Sequence, residues 1–331
     1  MASSGMHVAT GDSVLSVRNF PASSLPANTV SAPPPAGGHH VDLESGFTVK
    51  EAHGVHAGAA TDHETLQAVG IRRHTFLSKV WQPRALSTPM LWRDVFVEFL
   101  STGLFIFFVI SAIVFTNFTF AGGVGLFGIA FAFGITIFVL VYSSAGLSGG
   151  HINPAVTFAM FLAGRIDVIK GLLYMCAQVV GAICGAAIVR EINTPLYNRV
   201  YGGCNFVQSG YTVGGAFSAE VIGTFVLIYT IFAATDPKRS ALEVSPHLGV
   251  LAPLAIGFSI FVVHIALIPV DGVSINPARS FGPAVVLNDS HIWKDMWIFW
   301  VGPLTGAILA TFVYEAVIRG GAVKGMQRYI Q

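Results

Sequence analysis

Two side-chain amides are set in the same three-residue run, Asn153-Pro154-Ala155 and Asn276-Pro277-Ala278. Asn is a strong helix N-cap and Pro suits the first helical turn, so each run reads as the start of a helix. The apolar segments that follow, 153–162 and 276–286, are too short to cross a bilayer core, which takes about 20 residues of helix. Irregular backbone survives at membrane depth only where protein covers it or where it lines an aqueous path, and a matched pair of such segments points to a transport site. Each helix N-terminus carries about half a positive charge from aligned peptide dipoles. Two of them converging repel cations, and the two Asn amides can donate to one water oxygen. A water held this way turns its hydrogens outward along the pore, which disfavours a proton relay. That chemistry is conduction, not catalysis.

The remaining reactive groups do not assemble into an active site. Glu98 and Glu220 are acids within apolar stretches, at roughly 2.5–3.5 kcal/mol each on insertion scales. Their matched settings, Glu98-Phe-Leu-Ser-Thr102 and Glu220-Val-Ile-Gly-Thr224, suggest one shared role. His151 precedes the first Asn-Pro-Ala by two residues, without a second ligand at metal spacing, and His264 stands alone in an apolar stretch. Cys176, Cys184 and Cys204 are odd in number and lack metal-ligand spacing, so neither a disulfide framework nor a metal site is expected. The first two lie in an apolar stretch and read as small buried hydrophobes. No Ser/His, paired-Asp or metal constellation converges, so the sequence predicts neither an enzyme nor a cofactor.

Composition says what must position these groups. Of 331 residues, 53% are hydrophobic and 11% charged, where soluble domains run nearer one quarter charged. The net charge of +1, without a basic block, gives no nucleic-acid partner. Six stretches are long and apolar enough to span: roughly 93–115, 124–145, 168–189, 215–235, 249–269 and 293–318. Of the 18 Lys and Arg, only Arg190, Arg199, Arg279 and Lys294 fall on one side, which places both termini in the cytoplasm. Residues 1–90 are rich in Ser, Pro, Ala, Gly and His and read as a disordered cytoplasmic tail with no signal peptide; 321–331 form a short cytoplasmic tail.

The channel region, 91–320, contains a repeat. The first Asn-Pro-Ala follows Glu98 by 55 residues and the second follows Glu220 by 56; Gly181-Ala182 matches Gly306-Ala307. Two copies, about 91–190 and 212–320, are thus offset by 122–125 residues. With three spans each, the second enters the membrane inverted, and the short helices meet N-terminus to N-terminus near the midplane.

Ser148-Gly-Gly-His-Ile-Asn-Pro-Ala-Val-Thr-Phe158 and Ile275-Asn-Pro-Ala-Arg-Ser-Phe281 resemble the signature loops of major intrinsic proteins, the aquaporin superfamily. Ala234-Thr-Asp-Pro-Lys-Arg239, Leu251-Ala-Pro-Leu and Trp297-Ile-Phe-Trp-Val-Gly-Pro303 resemble plant plasma-membrane intrinsic proteins. The resemblance implies an all-α membrane protein, a right-handed bundle of six transmembrane helices plus two re-entrant half-helices. It implies a homotetramer in a lipid bilayer, with water as cargo. By spacing from each Asn it carries over a selectivity filter of Phe133, His264, Val273 and Arg279. Val273 departs from the Thr of the plasma-membrane subfamily, which keeps pore width but lowers wall polarity; Ser280 stands where glycerol conductors carry Asp. The resemblance also makes Glu98, Glu220 and His151 loop anchors. It makes the connection 236–251 a cytoplasmic gate with His247 and Leu251, and sets Asp167 where relatives carry a phosphorylatable Ser. The sequons at Asn117 and Asn288 hug the membrane and are expected to be unglycosylated.

Two other readings compete. A facilitator for glycerol, urea, hydrogen peroxide or carbon dioxide shares the architecture and is favoured by Val273. An ion-coupled secondary transporter also uses inverted repeats, but wants an ionisable residue where Asn153 and Asn276 stand.

Overall fold

The computed structural model describes residues 83–119, 123–236 and 248–319. A 3-10 turn, Pro83–Ser87, leads into α1 (Pro89–Thr119), α2 (Gly125–Ser144) and the half-helix α3 (Pro154–Leu162). The long α4 (Val168–Ile192) and short α5 (Thr194–Arg199) close the first half of the chain. Then follow α6 (Val213–Ala234), α7 (Leu248–Asp271), the half-helix α8 (Pro277–Leu287), the short α9 (Ser290–Asp295) and α10 (Ile298–Phe312), which ends in a π turn at Val313–Ile318. Six segments are long and apolar enough to cross a membrane: Pro89–Thr116, Gly125–Ser144, Val168–Ile192, Val213–Ala234, Leu251–Asp271 and Ser290–Ile318.

These are the six spans that the sequence predicts, with their ends moved by a few residues. The sixth is not one continuous helix, because a turn at Met296 and Trp297 separates α9 from α10. Helix also begins earlier than expected: residues 83–90, read as the end of the tail, form the 3-10 turn and the start of α1. The remainder of that tail, residues 237–247 and the C-terminal 320–331 lie outside the described residues.

Packing follows the repeat. Within the first copy α1 packs on α4, and within the second α6 packs on α10; α2 and α7 join the copies. Each half-helix also reaches into the other copy, α3 against α10 and α8 against α4. Small residues set the closeness of these crossings. A Cβ on Gly181 or Gly185 of α4 would collide with the carbonyls of Phe99 or Gly103 on α1, and one on Gly306 of α10 with the carbonyl of Val221 on α6.

The distribution of polarity is the reverse of a water-soluble bundle. Phe96, Phe108, Tyr142, Ile188, Ile222, Val262 and Phe312 are more than half exposed on the outside, while Glu98, Thr102, Gln178, Glu220 and Thr224 are buried. An apolar belt of that extent belongs in lipid. It also corrects the expectation for two cysteines: Cys176 and Cys184 are exposed on α4, because apolar side chains of a spanning helix face outward as well as inward, and only Cys204 is buried.

Candidate functional site

The two Asn-Pro-Ala runs meet at the centre of the bundle. Asn153 and Asn276 are extended N-caps with Pro in the first turn of α3 and α8. The Asn153 Oδ1 accepts from the Ala155 N–H at 2.8 Å, and the Asn276 Oδ1 from the Ala278 and Arg279 N–H groups at 3.1 and 3.4 Å. Each amide nitrogen crosses to the opposite loop: Asn153 Nδ2 donates to the Ile275 carbonyl at 2.7 Å, and Asn276 Nδ2 to the Ile152 carbonyl at 3.0 Å. The acceptor of each side chain is therefore taken up by its own helix. One of its two N–H groups ties the half-helices together, and the other remains to donate.

Ile152 and Ile275 adopt left-handed backbone, φ 56° and 46°, and Val273 does so at 52°. For β-branched residues such a conformation costs about 1–3 kcal/mol each and persists only where its surroundings impose it. Two buried acids do the imposing. Glu98 accepts from the Ile152 N–H at 2.7 Å, the His151 N–H at 3.0 Å, the Ser148 hydroxyl at 2.6 Å and Gln178 Nε2 at 2.8 Å. Glu220 accepts from the Ser274 and Ile275 N–H groups, both at 2.6 Å. The left-handed turn in each loop is what aims the Ile carbonyls across the axis. His151 is held by its ring as well as its backbone, with Nδ1 3.1 Å from Thr157 Oγ1 and the ring against Tyr174.

To one side of the Asn pair, Phe133, His264, Val273 and Arg279 are each about 1% exposed. The Phe133 and His264 rings lie 4.2 Å apart between centroids, and the Arg279 guanidinium lies 5.2 Å from the Phe133 ring. Arg279 Nη1 donates to the Gly203 carbonyl at 2.9 Å, so the loop after α5 fixes its head group. His264 Nδ1 sits 2.9 Å from the Ile260 carbonyl, while Nε2 has no hydrogen-bond partner among the described residues. With Nδ1 donating to that carbonyl, Nε2 is left as an acceptor. Beside these four residues a cavity of about 190 Å³ runs from His264, Asn153 and Asn276 past Val156, Leu227 and Ile231 to Thr235 and Pro253. Its walls are chiefly aliphatic.

At the far end of this cavity Arg165, just past α3, donates to Thr235 Oγ1 at 3.0 Å and pairs with Glu315 at 3.2 Å, which also pairs with Arg319 at 2.9 Å. Asp167 caps α4 by accepting from the Ile169 and Lys170 N–H groups. Leu251 is exposed on α7, and His247 lies outside the described residues. The side chain of Asn117 is likewise outside them, whereas Asn288 ends α8 in left-handed conformation and accepts from Trp293 Nε1.

Several residues that the sequence reading passed over belong to the site. Gln178 bridges Glu98 and Thr157, each within 2.9 Å. Tyr174 OH donates to the Ser148 carbonyl. Beside Arg279, Ser280 Oγ reaches Asn205 Oδ1 at 2.7 Å and Ser274 Oγ at 2.6 Å. Asp271 accepts from the Val273 N–H at 2.9 Å. Gln178 and Asp271 carried the one available signal, a strongly polar side chain in or at the end of an apolar span.

The family model described as major intrinsic protein matches residues 85–314. An aquaporin of PIP type from Atriplex canescens is 51% identical over 237 residues, covering 71% of this chain and 83% of the relative. Aquaporin PIP2-5 from Oryza sativa subsp. japonica is 50% identical over 242 residues, covering 70% and 85%. The X-ray structure of the aquaglyceroporin from Plasmodium falciparum matches with a TM-score of 0.63 at 22% identity, over 69% of this chain and 97% of that one, a likeness of fold. Six spans, two opposed half-helices and a family match over most of its length establish that this chain belongs to the major intrinsic protein family.

Proposed function

We propose that this chain is a passive water-selective channel that conducts water down osmotic gradients while excluding protons and ions. The state of the two Asn amides carries the reading. Both acceptors are occupied by helix N–H groups and both carboxamide nitrogens stand at the meeting point of two positive helix ends. A molecule at that point meets the free N–H of each amide. A water there accepts with its oxygen and sends its hydrogens away along the axis, so a hydrogen-bonded file reverses direction at the centre and cannot relay a proton. The relatives named as aquaporins support the same reading.

In this reading Phe133 and His264 set the width of the narrowest point, Arg279 opposes cations, and Val273 supplies an apolar wall. Val273 also favours a second reading, in which a small neutral solute such as glycerol, urea, hydrogen peroxide or carbon dioxide passes beside water. The channel works as a homotetramer with a pore in each subunit, in the plasma membrane, with both termini cytoplasmic. The cytoplasmic connection 236–251 acts as its gate: the His247 imidazole gains charge near about pH 6.5 and Leu251 plugs the mouth. Asp167 supplies a fixed carboxylate where a phosphate would otherwise act.

Stopped-flow shrinkage of proteoliposomes, run for water and for glycerol at neutral pH, tests the proposal. Fast water flow with slow glycerol entry is the expected outcome. Glycerol flux rivalling that of water would move the reading to a solute facilitator, and water flow no faster than in empty liposomes would reject it.

A further inference from the structure

The two halves of the chain solve the same backbone problem with different residues, and the difference falls at the filter. Three residues before each Asn the chain is left-handed: Gly150 at φ 63° in the first copy, Val273 at φ 52° in the second. Two residues earlier again stands a side-chain acceptor for that N–H. Ser148 Oγ accepts from the Gly150 N–H at 3.1 Å, and Asp271 Oδ1 accepts from the Val273 N–H at 2.9 Å. Glycine adopts this conformation freely and a hydroxyl suffices to hold it; a β-branched residue resists it. At the strained position the chain carries a carboxylate, whose charge-assisted bond is roughly twice as strong as a neutral one.

The location of Asp271 argues that this is its role. It is fully buried and ends α7, where the helix carbonyls repel a negative charge. Its Oδ2 has no hydrogen-bond partner among the described residues, so the Val273 N–H is the contact its side chain makes there. Its backbone carbonyl accepts from Asn205 Nδ2 at 3.2 Å, and Asn205 Oδ1 in turn accepts from Ser280, the neighbour of Arg279. Asp271 thus joins two walls of the filter, Val273 directly and Arg279 through the loop that flanks it.

We propose that Asp271 is a positioning residue for selectivity: it holds Val273 in the left-handed conformation that closes the filter, and the two residues work as a pair. The proposal rests on the reading of 133, 264, 273 and 279 as the filter. Asp271→Ala, Asp271→Asn, Val273→Gly and the double variant Asp271→Ala/Val273→Gly are compared in the full chain, in proteoliposomes. Loss of the bond in Asp271→Ala raises the glycerol-to-water permeability ratio by about threefold or more, whereas Asp271→Asn, which keeps an acceptor oxygen but loses the charge, raises it by less than Asp271→Ala does. In the Val273→Gly background, whose own ratio is shifted, adding Asp271→Ala changes the ratio by less than about 1.5-fold, since glycine needs no hold.

Hydrogen exchange of the segment 268–275 in detergent gives a readout independent of transport, and Asp271→Ala speeds exchange at Val273 by about tenfold or more. An equal effect of Asp271→Ala with and without Val273→Gly overturns the pairing. So does an unchanged ratio with unchanged exchange. A parent chain that moves no water rejects the proposed function instead, and the exchange measurement still decides the role of Asp271.

Discussion

Glu220 is held by two donors that cannot change role. Both are backbone N–H groups, of Ser274 and Ile275, one on each carboxylate oxygen at 2.6 Å. Glu220→Gln keeps the shape but replaces one oxygen with a donor, so whichever way the amide turns, a buried N–H faces another N–H. One charge-assisted bond is lost, at about 1.5–3 kcal/mol, and the remaining one weakens with loss of the charge, for a total near 3 kcal/mol. At about 2–4 °C per kcal/mol for a domain of this size, the melting temperature falls by roughly 6–12 °C. Membrane insertion runs the other way, because a neutral side chain enters lipid more readily than an acid. The variant therefore reaches the membrane in normal yield and fails later, in the fold and the filter.

Glu98→Gln is the control. Its partners include the Ser148 hydroxyl, which can reverse its bond, and the Gln178 amide, whose Oε1 has no hydrogen-bond partner among the described residues and can accept from the new NH2 after a flip. Each Glu98 oxygen also accepts a backbone N–H, from His151 and Ile152, so the variant should lose about as much stability as Glu220→Gln but leave the glycerol-to-water ratio unchanged, because its loop lies away from the proposed filter. Thermal unfolding in detergent and the permeability ratio in liposomes measure both. A Glu220→Gln protein as stable as its parent, or a Glu98→Gln protein whose glycerol-to-water ratio shifts as much as that of Glu220→Gln, would refute the reasoning.

Three further outcomes follow from the same geometry. His264→Ala removes the ring that stacks at 4.2 Å on Phe133, and glycerol uptake in liposomes should rise about tenfold or more while water flow persists. Burial pushes the Cys204 thiol up to about 12, so at pH 8 only about one thiol in ten thousand is thiolate. Charged thiol reagents added from outside should therefore leave water flow unchanged at pH 8, and rapid block would show the loop more open than described. Glu315→Gln breaks two ion pairs whose side chains are 23–27% exposed, each contributing about 1 kcal/mol or less, and water permeability should stay within about twofold.

What was legible in the sequence was periodic or paired. Spans show as long apolar runs, and the inversion shows because each copy of the repeat holds three spans, an odd number. The proposed filter quartet came from spacing carried over by resemblance, and the structure places its four residues together. What escaped was contact between distant segments. Gly203 to Arg279, Asn205 to Ser280 and Gln178 to Thr157 each join residues far apart in the chain, and no local pattern marks such a bond. The cross-bonds of the amides escaped for the same reason: each Asn spends one N–H on the opposite loop and keeps one to donate. Orientation about a helix axis was the other blind spot. Cys176 and Cys184 sit in an apolar run whose residues face lipid as often as core, so apolar surroundings did not mean burial.

Water and proton flux measured in the same proteoliposomes test the central claim most directly. Osmotic shrinkage is followed by light scattering, and proton entry under a pH gradient by an enclosed pH dye. The account predicts water flow far above that of empty liposomes, with a proton flux indistinguishable from theirs. Proton entry that rises with the amount of protein would contradict it, because a file of water broken at Asn153 and Asn276 carries none.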